Sequence, residues 1–158
     1  MRTLGEITEN YTILDKEYKE TADVVFEQES KALFSKYPRL KSFGFTAYTP
    51  HFNDGEPCRY HAYTDEPYIN GKRYWSDPDE ESLEGEDLYH LSKDEEWNAR
   101  TKSWDNKAEY DKEAKEICAK VANFLTQFKH SYLESRFGDS VKVTISAEKI
   151  KTEYYEHD

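Results

Sequence analysis

His51, Asp54, Glu56, Cys58 and His61 fall within eleven residues of sequence. Side chains of these types bind transition metals and move protons near neutral pH. A zinc site needs three or four of them converging at about 2.0–2.3 Å. Cys58 and His61 are three apart in a segment that reads as a strand, so their side chains point to opposite faces. That disfavours a Cys–His pair and leaves His51 with His61 across a hairpin. A small metal-dependent hydrolase using His51, Asp54 and His61 is one reading, and a polar loop with a capping Asp is the other. No P-loop, G-x-G-x-x-G, G-x-S-x-G or H-E-x-x-H motif occurs. The expectation is therefore no cofactor, no metal and no catalytic set.

These residues would be positioned by a hairpin. Phe43, Phe45 and Ala47 alternate with Gly44, Thr46 and Tyr48, the period-two pattern of a half-buried strand. Cys58 to Tyr63 alternates in the same way. Between them lies a loop carrying Asn53-Asp54-Gly55, residue types that tolerate positive φ. Asn70-Gly71 marks a second tight turn, flanked by Tyr68-Ile69 and Arg73-Tyr74-Trp75. The stretch from Phe43 to Trp75 is rich in aromatic rings that would stack on a base, with nearby cations for phosphate. The ligand set for a nucleotide or signal-molecule binder is His51, Asn53, Asp54, Arg59, His61, Lys72, Arg73 and Trp75. A core or interface role for most of the rings is the competing reading.

The charge distribution points elsewhere. The chain of 158 residues carries a net charge of -11 with 15% aromatic residues and a mean hydropathy of -1.05. Residues 65–96 hold twelve acids against three bases, nine of those net charges. Such acidity disfavours direct nucleic-acid binding and anionic membranes, and suits basic partners. No apolar run is long enough to span a membrane, and no apolar leader opens the chain. A cytoplasmic protein is expected, with Cys58 and Cys118 as free thiols. An acidic loop is expected at about 77–91. Asp77, Asp79, Glu80, Glu81, Glu84, Glu86 and Asp87, with Tyr74, Trp75, Tyr89 and Trp97 as aromatic anchors, form a candidate partner-binding surface. Such a surface could occupy a nucleic-acid groove on another protein, or it could be a solvated loop. The aromatic surface would serve equally as a homodimer interface. Asp77-x-Asp79 has the spacing that starts a calcium loop, but Ser82 stands where an EF-hand needs glycine.

The remaining elements follow from periodicity. Residues 1–13 read as a polar lead-in. Residues 14–37 carry one apolar stripe and stop at Pro38. Ser92-x-x-Glu95 reads as a capping box opening a helix that carries Trp97. Tyr110 to Phe137 is the longest periodic segment, closed by Gly138. Val141–Ile145 and Ile150–Tyr155 form a terminal hairpin. The expected fold is a single α+β domain over residues 1–158. Its antiparallel sheet is built from two hairpins packed on two long amphipathic helices.

The segment Tyr48-Thr-Pro-His-Phe-Asn-Asp-Gly-Glu-Pro-Cys58 resembles a Tyr-Thr-Pro-x-Phe-Asn-Asp-Gly-[Asp/Glu]-x-Cys motif of small bacteriophage-encoded proteins. The matched string is eleven of the chain's 158 residues. It implies a phage accessory protein, at work in the cytoplasm of a bacterial host. The leading expectation is a non-enzymatic protein that binds and modulates a basic or nucleic-acid-binding host protein, a defence protein included.

Overall fold

The computed structural model describes residues 1–51, 55, 57–74, 84–107 and 110–156. The first helix, α1, runs Leu4–Lys36. It starts earlier than the stripe at 14–37 implies, because Thr3 and Glu6 close a capping box. The Thr3 hydroxyl accepts from the Glu6 N–H at 3.1 Å, and a Glu6 carboxylate oxygen accepts from the Thr3 N–H at 2.9 Å. Residues 1–13 are thus mostly helix rather than a lead-in. Tyr37 caps the other end just before Pro38.

The sheet is built around β1 (Ser42–Tyr48), in the order β2 (His61–Ala62), β1, β6 (Val141–Ser146), β7 (Ile150–Tyr154). Antiparallel β6 (Val141–Ser146) lies along one edge of β1, and β7 (Ile150–Tyr154) continues beyond it. The other edge of β1 pairs with two short strands, β2 (His61–Ala62) and β3 (Tyr68–Ile69). The strand expected over Cys58–Tyr63 therefore shrinks to two residues. Ser42 to Ala47 match Ser146 to Val141 in register, so Phe43, Phe45, Val143 and Ile145 share one face and are at most 1% exposed. At Gly44 the neighbouring strand leaves no room for a side chain: a Cβ there would collide with the Val143 carbonyl.

The buried face meets three helices: α1, α3 (Lys112–Thr126) and α4 (His130–Phe137). Phe26 of α1 sits at the centre, with Phe124, Phe128 and Phe137 rings at 5.2–5.5 Å. Phe43 packs on Phe124, and Phe45 on Phe137. The single helix expected over 110–137 is therefore two. Lys129 is extended between them, which turns Phe128 and Tyr132 around the Phe26 cluster. The α+β architecture with an antiparallel sheet holds throughout.

The segment after Ser92 differs from the expected helix. A short helix, α2 (Leu88–Ser92), is capped by Asp87 and ends at Ser92. The Ser92 hydroxyl donates back to the Tyr89 carbonyl at 2.7 Å and opens nothing. Glu95–Asn98 and Ser103–Asn106 then form a separate hairpin, β4–β5. Its turn is made by Asn98, whose side-chain oxygen accepts from the Arg100 and Thr101 N–H groups, and by Lys102 at φ 54. Trp97 then stands opposite Trp104, a cross-strand pairing that a helix could not offer. No helix of the described residues is long and apolar enough to cross a membrane.

Candidate functional site

Asn70 fixes the start of the region around the acidic segment. With Gly71 it forms a positive-φ turn, φ 51 and 82. Its side chain is fully buried and fully engaged. The oxygen accepts from the Lys41 N–H at 2.7 Å, and the amide donates to the Arg39 and Glu86 carbonyls at 3.0 Å. The Glu84 N–H donates to the Asn70 carbonyl. One asparagine thus ties β1, the turn and the end of the acidic segment together, a role beyond the turn that its sequence context signals.

The described part of the acidic segment is committed internally. Glu86 pairs with Arg39 at 2.6 Å, and Arg39 also meets Asp111 at 2.8 Å and Glu113 at 3.4 Å. The Arg39 hydrogen bond holds the Asp111 carboxyl below the usual carboxylate range. Asp87 caps α2, and Glu84 is exposed. Tyr89 is 6% exposed, and its hydroxyl donates to the Pro67 carbonyl. It is a core residue rather than a docking anchor, and burial pushes its phenol well above the ordinary value. Tyr74 is half-buried, with the Lys93 ammonium 4.1 Å from its ring centre. Trp75, Asp77, Asp79, Glu80 and Glu81 lie outside the described residues.

Trp97 is where the expected surface and the structure coincide. It is 54% exposed, and Trp104, which the sequence reading passed over, is 63% exposed. The two rings pack edge-on at 5.5 Å. The signal was present as Glu-Trp-Asn and Ser-Trp-Asp flanking a four-residue link, but Ser92-x-x-Glu95 masked it. On the opposite face Glu96 stands directly across from Asp105, with both residues exposed. Like charges so placed repel. Asp94 and Glu95 extend the acidic rim, while Arg100 and Lys102 lie in the turn. The hairpin faces α2 and α3 across a cleft of about 790 Å³ lined by Trp97, Trp104, Lys93, Lys107 and Cys118. Burial lowers the Lys93 pKa and pushes the Cys118 thiol up to about 12, so this thiol is a poor nucleophile.

The alternative ligand set is only partly assembled. His61 and Arg73 line one small recess of about 280 Å³ with Thr46, Tyr48, Tyr63 and Tyr155 on the outer face of the sheet. Arg73 lies 4.5 Å from the Tyr68 ring centre. This recess is small beside the ~300–1,000 Å³ of ordinary ligand sites. Lys72 is 4% exposed and paired in the turn with Ile69, so its place is structural. Arg59 and His51 are exposed, and Asn53 and Asp54 lie outside the described residues. The His61 ring packs on His130 at 4.6 Å and on Tyr63 at 4.5 Å. Among the described residues no three His, Cys, Asp or Glu side chains converge as a metal site would need. No disulfide links Cys58 to Cys118.

No protein-family model matches the chain, and no curated protein or solved structure matches it.

Proposed function

We propose that this is a non-enzymatic binding protein that engages a basic partner protein through the β4–β5 hairpin. The observation that carries this reading is the exposed Trp97–Trp104 pair backed by Glu96 facing Asp105. Two tryptophans at the surface bring unfavourable contact with water, and the Glu96–Asp105 like-charge pair, which the Asn98 amide eases by donating to Asp105 at 2.7 Å, adds to it. A partner with an apolar notch covers the rings, and Lys or Arg at its rim reaches the acids of the other face around the edge of the hairpin. Tryptophan is also among the residues that dominate binding energy at interfaces. The acids of 77–87 add to the net negative charge of the chain, consistent with a partner that ordinarily holds nucleic acid. The phage-type motif at Tyr48–Cys58 supports a host protein as that partner, within the bacterial cytoplasm.

The test is affinity capture from bacterial lysate by the wild-type chain and by a Trp97→Ala/Trp104→Ala chain, at low and at high salt. One basic protein should be retained by the wild type, lost at high salt, and lost on the double variant. Equal retention by both chains would sink the hairpin as the binding surface.

A further inference from the structure

α1 spans 33 residues, about 50 Å at 1.5 Å per residue, yet its buried residues are Ala22, Phe26 and Ser30. Every residue from Met1 to Glu17 is exposed. The first half-buried one is Tyr18, which meets Tyr132 edge-on and accepts from the Lys129 N–H. The helix from Leu4 to Glu17, about 21 Å of it, therefore runs as an arm beyond the packed body. Along it Leu4, Ile7, Tyr11 and Leu14 are 82%, 49%, 74% and 62% exposed. Their spacing is three, four, three, and Tyr18 follows at four. That alternation is the narrow a/d seam of a coiled coil, not the wider stripe of a helix lying on a domain. Gly5, Ile7, Thr8, Thr12 and Ile13 are weak helix formers, so intrinsic propensity does not account for an arm held in water.

We infer that the arm is a self-association surface, on which a second copy lays its own α1 antiparallel about a two-fold axis. In that arrangement a and d positions share layers, so Leu4 meets Leu14 of the second copy and Ile7 meets its Tyr11. Each contact occurs twice, as a two-fold interface requires. The flanking positions agree. Thr3, Thr8 and Asn10 beside the seam are uncharged, and Asp15 and Glu17, which also flank it, fall opposite residues 1–3 of the second copy in this register, so no like-charge pair opposes the match. A parallel pairing would bring both bodies to the same end, where Tyr18 is already packed on Tyr132. A membrane is a poor occupant, because membrane-surface helices are rich in Lys and Arg. Residues 1–20 hold five acids against three bases. The seam is two heptads long, well short of the roughly 1,600 Å² of a standard interface, so association is weak and concentration-dependent.

Sedimentation equilibrium of the full chain from about 1 μM to about 1 mM tests this. A monomer–dimer equilibrium is expected, with dissociation raised more than about tenfold by Leu4→Glu/Leu14→Glu. Ile13→Glu is the control, since Ile13 is 50% exposed but lies on the far side of the arm from the seam. It should leave the dimer intact. Circular dichroism confirms that each variant is folded, which the exposure of these positions favours. A wild-type chain that stays monomeric throughout overturns the inference and leaves the seam to a foreign helix. Equal dissociation by Ile13→Glu overturns it too, by reducing the effect to nonspecific hydrophobicity. Neither result bears on the β4–β5 hairpin.

Discussion

The two hairpins β6–β7 and β4–β5 share antiparallel pairing and differ in what stands behind them. β6 hydrogen-bonds along β1 and places Val143 and Ile145 in the core, at 0% and 1% exposure. Among the described residues β4–β5 joins no other strand, and its two tryptophans lie at the surface. A two-stranded hairpin alone is marginal in water. The comparison teaches that a strand pattern does not assign a role. One hairpin is held by the core, and the other carries exposed rings that the core does not use.

The sharpest way to break the comparison is to truncate one residue from each hairpin. Ile145→Ala should cost about 2–5 kcal/mol, a large part of a marginal stability. Trp97→Ala should cost less than about 1 kcal/mol, because the ring is more than half exposed. Urea midpoints for the two variants read the difference directly. Similar losses would show that β4–β5 is part of the cooperative core.

A smaller effect separates the packed region by pH. Burial lowers the His130 pKa, the nearby His61 ring lowers it further, and Asp65 opposes both. The His130 Nδ1 accepts the Ala62 N–H at 3.5 Å, which protonation at that nitrogen forbids. The folded chain thus holds fewer protons on this ring than the unfolded chain does. Its contribution is complete above about pH 6.5 and is lost as pH falls through the lowered folded value. The ring is partly exposed, so the loss should stay under about 1 kcal/mol. Urea midpoints measured at about pH 7.5 and at about pH 5 should fall less in His130→Gln than in wild type. An unchanged slope would assign the acid sensitivity to other groups.

The smallest effect has the opposite sign. Glu96→Gln removes the repulsion with Asp105 and should raise stability by a few tenths of a kcal/mol. The same change should weaken partner binding and flatten its dependence on salt. A variant that gains no stability and binds as before would remove the like-charge pair from the account.

Much of the scaffold was legible from periodicity. The β1 alternation, the Asn70-Gly71 turn and the terminal hairpin carry their signals within a few residues. The candidate site was less legible. Ser92-x-x-Glu95 fits a capping box locally, but the chain beyond it gains more by pairing Trp97 with Trp104 than by extending α2. Lys72 and Tyr89 look like surface residues in sequence, and they are buried because the turn and α2 fold onto the body.

By itself, then, the sequence determined the class of most elements, the segment after Ser92 excepted, together with the acidity and the face of β1 and β6 that goes inside, because those properties reside in neighbouring residues. Tertiary structure decided which rings stay in water. Tyr89 lost its exposure and Trp97 kept it, although both lie among acids in one stretch of chain. It also decided that Asn70 binds three segments, and that the first half of α1 stays exposed among the described residues. Burial depends on which distant surfaces meet, and no local pattern encodes that.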